Sequence, residues 1–372
     1  ARDHLLFRET SLDSLFIKNA EILRKTANPA LFAVVQKNNF NDYTGALNYM
    51  YLNLIKPVEE LFSGSKLILI PDEEIGWLPF DAFLKSKPEA DQSDYEGLHY
   101  LIHDYTFSYA YSSSLIFSTT GRLKKAPVVF SFSPDYGNRS LSGKVPESLK
   151  GAVSEIESVY KWFRGKMFTG NEATKANFVL AMRDPAIFHL AMHSMSDSAN
   201  SRYSYMLFDT HKGSQEDGKL YNYEISLSRL KSPMVVLSAC NSGTGTLYYG
   251  EGLMSLARGF ILAGASSVIK TAWDVNDEAS SAIITRFYYH LSKGEQKNDA
   301  MRLAKLEYLK KSSPAFTSPY FWAGYEVLGE NAPVVRNYGL RVLIVISLIL
   351  ILAGVSLIIY FKRRSIFSDR SR

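Results

Sequence analysis

The second half of the chain alternates apolar segments with amphipathic ones, and this alternation restricts the fold more than any other feature. Strand-like apolar segments occur at residues 127–133, 186–192, 203–209, 233–239 and 265–273. Residues 151–163 lie between two of them and repeat apolar positions at helical spacing. Strands joined by helices form a mostly parallel sheet with helices over both faces. The pattern therefore predicts an α/β fold.

Residues at two helix ends indicate where helices begin and end. Asn171 is a candidate N-cap for a helix at 171–182. Gly264 follows an amphipathic run at 251–264 and is expected to close that helix. The last strand is predicted at 325–329.

The first part of the chain has a different pattern. Residues 1–60 show apolar positions three and four apart, which predicts helices. Two strands follow, at 66–72 and 104–112, and residues 124–127 are interpreted as a linker to the second half.

Composition excludes some classes of function. Charged residues make up 21% of the chain and the formal net charge is +5, without a dense basic stripe interleaved with aromatics. Nucleic acid is therefore not a predicted partner. The chain has one cysteine, Cys240, so it cannot form an internal disulfide and needs no oxidising compartment.

Two of the predicted strands end in residues that can carry chemistry. His193 follows the strand at 186–192, and Cys240 follows the strand at 233–239 and enters a loop of small residues. The carboxyl ends of neighbouring parallel strands meet at one edge of a sheet. A thiol becomes a strong nucleophile when an imidazole can take its proton. The pair is therefore a candidate nucleophile and general base.

Less specific interpretations of the same residues stay open at this point. A lone cysteine such as Cys240 is often a small buried apolar residue. His189 and His193 are four apart and would suit a metal site on a helix, but the segment favours a strand and lacks an acidic third ligand at the expected spacing. His189 is better interpreted as a buried histidine whose hydrogen bonds are satisfied. No metal site is predicted.

Other catalytic and cofactor motifs are not found in the sequence. The glycines at 243–252 lack the spacing of a dinucleotide-binding loop, and no glycine run ends in Gly-Lys-Ser/Thr. The Gly-x-Ser-x-Gly motif of serine hydrolases is not present. No cofactor is predicted.

A long apolar run lies near the end of the chain. Residues 342–361 contain no charged residue and no proline, and about 20 apolar residues suffice to cross a bilayer as a helix. The run predicts a transmembrane helix, followed by a basic tail at 362–372. Because positive residues favour the cytoplasmic side, we expect a single-pass membrane protein with its large domain outside the cytoplasm. The opposite orientation stays open.

Several motifs, taken in order, resemble those of the CHAT family in the caspase–separase clan of cysteine peptidases. HLAMHS and VVLSACNSGTG resemble the family's histidine and cysteine motifs. The resemblance begins near Leu47, and residues 55–84 and 100–116 resemble the opening of the domain. Residues 250–280 resemble the block after the cysteine, and 319–329 the closing strand.

This resemblance implies a fold, an activity and a domain order. It implies a caspase-like three-layer α/β/α sandwich over residues 47–330 and hydrolysis of peptide bonds in a protein or peptide substrate. His193 carries over as the general base and Cys240 as the nucleophile. Because CHAT domains commonly follow tetratricopeptide repeats, residues 1–46 are interpreted as the end of an upstream repeat array that binds a regulatory partner.

The resemblance also implies the remaining site residues. The backbone N–H groups of Ser194 and Cys240 would form the oxyanion hole, although the family usually has Gly where this chain has Ser194. In separase-like members an acidic residue in the Trp-Asp-Val block receives a basic substrate side chain. The candidates here are Asp274 and Asp277, and a helix N-cap is the alternative role for Asp277. Because of Ser194, an inactive caspase-like, membrane-tethered scaffold or sensor stays open beside the peptidase.

Overall fold

The computed structural model describes residues 7–9, 11–26, 40–71, 73–113, 127–136, 150–197, 200–210, 218–238, 251–335, 347, 349–352 and 354–356. The chain divides into two compact units, Ala1–Val334 and Val335–Arg372. The first unit contains both sheets and the helices that pack against them.

Two β-sheets form the centre of the first unit. Their strands are β1 (Lys66–Leu69), β2 (Thr106–Tyr109), β3 (Val128–Ser133), β4 (Gly165–Thr169), β5 (Ala186–Leu190), β6 (Ser194–Met195), β7 (Tyr205–Leu207), β8 (Lys219–Tyr221), β9 (Val235–Leu237), β10 (Ser267–Thr271) and β11 (Tyr325–Gly329). The large sheet has eight strands in the order β1-β2-β11-β10-β9-β5-β3-β4. Its neighbouring strands are parallel except for β10 and β11, which are antiparallel. The second sheet has the order β6-β7-β8 and is antiparallel.

Helices connect most of these strands. A π-helical turn, Tyr51–Ile55, joins the second helix to the third. The α-helices are α1 (Ser14–Thr26), α2 (Phe40–Met50), α3 (Lys56–Glu59), α4 (Lys150–Val159), α5 (Lys175–Ala181), α6 (Asn222–Leu227), α7 (Glu251–Ala263), α8 (Asp277–Ser292), α9 (Lys297–Lys311) and α10 (Pro319–Trp322). Short 3-10 turns are Glu73–Trp77, Phe80–Ala82, Leu101–His103, Gly170–Glu172, Ser201–Tyr203 and Pro314–Phe316.

Two consecutive residues of β5 show that helices cover both faces of the large sheet. Successive side chains on a strand point to opposite faces. Phe188 packs against Phe178 of α5, with ring centroids 5.6 Å apart. His189 stacks on Tyr288 of α8 at 5.5 Å. The predicted α/β fold with a mostly parallel sheet is confirmed.

Several local predictions can be compared with the structure. The helix that follows Asn171 begins at Lys175, and its N-cap is Thr174, whose side chain accepts a hydrogen bond from the Asn177 backbone N–H. The N-cap prediction for Asn171 was therefore wrong. Gly264 follows the last residue of α7 with φ of +114°, as expected of a helix-closing glycine.

Three strands, β4, β6 and β8, were not predicted from the sequence. Strand β4 lies at the edge of the large sheet and has three exposed residues in its first three positions. Strands β6 and β8 have two and three residues. Exposed or very short strands leave little apolar periodicity to detect.

The predicted transmembrane helix needs a correction. Of residues 342–361, the structure describes 347, 349–352 and 354–356, and the rest of that prediction lies outside the described residues. Crossing a bilayer takes about 20 consecutive apolar helical residues. Within the described ranges, no helix has both the length and the apolar character to do so. The predicted single-pass membrane localisation is therefore contradicted, and within the described residues the predicted transmembrane helix and membrane partner are not supported.

Candidate active site

His193 lies at the carboxyl edge of the large sheet, three residues beyond the end of β5. Its side chain and backbone together are 3% exposed. Its backbone N–H donates to Tyr136 Oη at 2.8 Å, and the two rings stack with centroids 4.9 Å apart. Tyr136 Oη in turn donates to the carbonyl of Leu207 at 3.0 Å. Both the backbone and the ring of the histidine are therefore held by one tyrosine.

Tyr136 was not predicted as a site residue. It follows β3, the strand on the other side of β5 from β9. Burial raises the pKa of its phenol, so the hydroxyl stays protonated and can donate at neutral pH. A sequence signal was available, since Tyr136 follows the end of a predicted strand just as His193 and Cys240 do.

Cys240 lies outside the described residues, but the strand before it is described. Strands β5 and β9 are parallel neighbours, and Leu190 is the register partner of Leu237. His193 is three residues beyond Leu190, and Cys240 is three residues beyond Leu237. Three residues span at most about 11 Å of extended chain. His193 and Cys240 therefore follow the paired residues at the ends of their strands by the same short length of chain.

Ser194 begins β6 and is paired with Met206 of β7. The N–H of Leu207 donates to the carbonyl of His193 at 2.9 Å, so the Ser194–Met206 pair is of the non-hydrogen-bonded kind. In such a pair the N–H groups point away from the partner strand. The Ser194 N–H is therefore not used in the β6–β7 ladder, and its extended backbone conformation is accessible to any residue.

Asp274 and Asp277 both lie beyond the end of β10, the neighbour of β9. Asp274 is half-buried, whereas Asp277 lies at the surface in the first turn of α8. The N-cap of α8 is Asn276, whose side chain accepts from the N–H groups of Glu278 and Ala279. Asp277 is therefore not the N-cap, which was the alternative role considered for it.

The Asp277 carboxyl has neighbours from two other elements. Partial desolvation raises its pKa, and the charge of Glu155 raises it further. Positive charge on His193 and a hydrogen bond from the Gly151 N–H oppose this rise. Asp277 is thus within electrostatic range of His193 and is also linked to the start of α4.

His189 is buried, as predicted, and it is bonded within the core. Its Nε2 lies 2.8 Å from Glu155 Oε1, and neither side chain is more than 4% exposed. Among the described residues, no group of three or more His, Cys, Asp or Glu is placed to hold a metal ion. Glu155 was missed by the sequence analysis, because its helical position gives no sign of a buried partner on another element.

These features define a class of protein. It is an α/β protein with a mostly parallel sheet and with candidate reactive groups at the carboxyl edge of that sheet. The chain belongs to the CHAT-domain family, whose family model matches residues 44–330.

Curated relatives resemble a short part of the chain. Tetratricopeptide repeat protein 28 of Mus musculus is 33% identical over 103 residues, which is 28% of this chain and 4% of that protein. The Homo sapiens protein of the same name is 31% identical over 103 residues, with the same coverage of both chains. This chain therefore matches about a twenty-fifth of the length of these relatives.

The solved structures that match this chain are distant in sequence. The Arg-specific cysteine proteinase gingipain R (RgpB) of Porphyromonas gingivalis matches with a TM-score of 0.46 and 9% identity, over 85% of this chain and 75% of that chain. The Saccharomyces cerevisiae separase–securin complex matches with a TM-score of 0.42 and 12% identity, over 85% of this chain and 22% of that chain.

Proposed function

We propose that this chain is a cysteine endopeptidase in which Cys240 is the nucleophile and His193 the general base. The observation that carries the proposal is the register of β5 and β9. It gives both residues the same offset beyond the paired residues Leu190 and Leu237. Membership of the CHAT family supports the assignment of roles.

The proposed reaction has two stages. His193 takes the thiol proton, and the Cys240 sulfur attacks the peptide carbonyl to form a tetrahedral oxyanion. His193 then gives the proton to the leaving amine, which departs and leaves a thioester. Water, activated by His193, hydrolyses the thioester to release the acid and regenerate the thiol. The hold of Tyr136 on His193 favours one ring orientation through both stages.

The backbone N–H groups of Ser194 and Cys240 are proposed to stabilise the oxyanion. The non-hydrogen-bonded position of Ser194 in the ladder supports its part, because its N–H points away from β7 and its extended backbone needs no unusual φ. A serine at this position is thus compatible with an oxyanion donor.

Asp274 and Asp277 are proposed to recognise a basic substrate side chain next to the cleaved bond. The support is their position after β10, beside the strand that leads to Cys240, and the electrostatic range between Asp277 and His193. We also propose residues 1–46 as the end of a partner-binding repeat array, with residues 47–330 as the peptidase domain.

The experiment is labelling by peptidyl acyloxymethyl ketones with Arg or Leu beside the ketone. We expect Cys240 of the full chain to be labelled, with loss of labelling in Cys240→Ala and His193→Ala. His99→Ala is the matched control, because His99 is exposed and remote in sequence from the site. Asp274→Asn and Asp277→Asn should reduce the preference for Arg. A folded wild-type chain whose single thiol reacts no faster than in His193→Ala would contradict the proposal.

A further inference from the structure

A row of hydrogen bonds, buried except at its Ser238 end, starts at Glu155 of α4. The two oxygens of its carboxyl have different partners. His189 Nε2 lies 2.8 Å from Oε1, and Ser280 Oγ of α8 donates to Oε2 at 3.1 Å. His189 belongs to β5, the strand that ends just before His193. One carboxylate therefore links the histidine strand to the helix that follows β10.

The row continues from Ser280 to the strand of the cysteine. Ser280 Oγ lies 2.5 Å from Tyr325 Oη, and Tyr325 Oη lies 3.5 Å from Ser238 Oγ. Ser238 directly follows β9 and is two residues before Cys240. Its own N–H donates to the carbonyl of Leu190 at 3.0 Å.

The donors in this row have a defined direction. Ser280 has one hydroxyl proton, which it gives to the Glu155 carboxyl. Tyr325 must then donate to Ser280, and Ser238 is left to donate to Tyr325. Each hydroxyl thus points toward Glu155, so loss of the carboxylate or of the Tyr325 hydroxyl would release the Ser238 end of the row.

The burial of Glu155 makes this arrangement rigid. The residue is 3% exposed, and a buried carboxylate is costly unless its hydrogen bonds are satisfied. The charge of Glu155 also raises the pKa of Tyr288 and of Asp277, so its electrostatic effect extends from the core to the edge of the sheet. Alternative arrangements that break the row are therefore disfavoured.

We propose that Glu155 and Tyr325 are positioning residues, which set the strand of His193 and the strand of Cys240 in a fixed relation through His189, Ser280 and Ser238. This proposal rests on the proposed peptidase function. It adds a positioning role for the hydrogen-bonded row from Glu155 to Ser238, which neither the sequence motifs nor the family match assigns.

The test uses the single cysteine as its own reporter. The rate of Cys240 alkylation by iodoacetamide is measured from pH 5 to 10, with the rate of inactivation by a saturating peptidyl acyloxymethyl ketone. Tyr325→Phe keeps the ring and removes the hydroxyl at the centre of the row. We expect it to lower the saturating inactivation rate by about tenfold or more, because small misplacements of reacting groups are costly.

Matched controls separate positioning from general loss of packing. Tyr288→Phe also removes a buried hydroxyl, one that has no hydrogen-bond partner within the described residues, and should keep the wild-type rate. Glu155→Gln removes the charge and is compared with Glu157→Gln, an exposed carboxylate on the same helix. In a His193→Ala background, Tyr325→Phe should have no further effect on alkylation.

The outcomes distinguish the two proposals. If alkylation depends on His193 but Tyr325→Phe behaves as Tyr288→Phe does, the positioning role is overturned and the peptidase proposal stands. If Tyr325→Phe slows alkylation equally with and without His193, the row stabilises only the strand that leads to Cys240. The positioning role is again overturned. If alkylation of wild type does not depend on His193, the peptidase proposal fails and the positioning role fails with it.

Discussion

Lys270 of β10 and Glu326 of β11 are register partners on antiparallel strands, and Lys270 Nζ lies 2.5 Å from Glu326 Oε2. Both side chains are at most 5% exposed. Burial raises the pKa of the Glu326 carboxyl, and the charge of Lys270 opposes that rise. Within the core, each charge of the pair therefore offsets the desolvation cost of the other.

Removal of one member of this pair should cost more than removal of both. Glu326→Leu strands the Lys270 ammonium, and we expect it to lower the free energy of unfolding by about 3–5 kcal/mol. The double variant Lys270→Met, Glu326→Leu should recover most of that loss, because no buried charge is left alone. Denaturant unfolding of the four members of the mutant cycle measures this. Additive losses in the double variant would show that the charges do not compensate each other.

The second prediction concerns Lys297, the first residue of α9. Burial lowers the pKa of its amine from 10.5 to about 8, and its Nζ donates to the carbonyl of Glu330 at 3.0 Å. The unfolded chain therefore binds more protons than the folded chain between these two values, and stability rises with pH across that window. In Lys297→Met this rise should disappear. The resulting change in the pH dependence of the free energy of unfolding is up to about 3 kcal/mol.

Denaturant unfolding of wild type and Lys297→Met at intervals from pH 7.5 to 10.5 measures the effect. Lys310→Met is the control, because Lys310 is an exposed lysine on the same helix. Its unfolding free energy should follow that of wild type over the whole range. Parallel curves for wild type and Lys297→Met would contradict the prediction.

A third prediction follows from Asp277. Its pKa is raised above 3.8 in the folded chain, chiefly by desolvation and then by the charge of Glu155. The folded chain then binds more protons than the unfolded chain above pH 3.8, so ionisation of Asp277 lowers stability as the pH rises through its raised pKa. Asp277→Asn should melt at a higher temperature than wild type at pH 7, with the difference shrinking toward pH 3.

Thermal unfolding between pH 3 and pH 7 checks this. Asp94→Asn is a suitable control, because Asp94 is an exposed aspartate far along the chain from the site. A difference between Asp277→Asn and wild type that stays constant with pH would indicate that the carboxyl acts through packing alone.

The fourth prediction concerns Tyr136. Its hydroxyl accepts from the His193 N–H and donates to the Leu207 carbonyl, so Tyr136→Phe leaves a buried N–H without its acceptor. We expect a loss of stability of about 1–3 kcal/mol. The rate of Cys240 labelling should fall as well, because the His193 N–H loses the hydroxyl that helps to position this residue.

Denaturant unfolding and probe labelling of the same preparation separate these two effects. Tyr160→Phe is the control, since Tyr160 also uses its hydroxyl to bond backbone carbonyls but lies on the side of β3 toward β4. It should lose stability without a slower labelling rate. Unchanged labelling in Tyr136→Phe would remove Tyr136 from the proposed site.

The core strands were predictable because buried strands consist of consecutive apolar residues, which can be seen in the sequence. Residues 186–192 are almost all apolar, and β5 lies within them, buried at every position. The exposed edge strand β4 carries no comparable signal. The N-cap at Thr174 in place of Asn171 shows a related limit, since several residues in a row could cap the helix and backbone geometry selects one.

The sequence alone determined the buried core strands and the candidate nucleophile and base, because apolar periodicity and side-chain type are local properties. It led to the α/β fold and to His193 and Cys240 at the ends of two predicted strands. The tertiary structure decided the register of Leu190 with Leu237 and the row from Glu155 to Ser238. Those relations join residues far apart in the chain, and they exist because a buried polar group is stabilised by a partner on whichever element packs beside it.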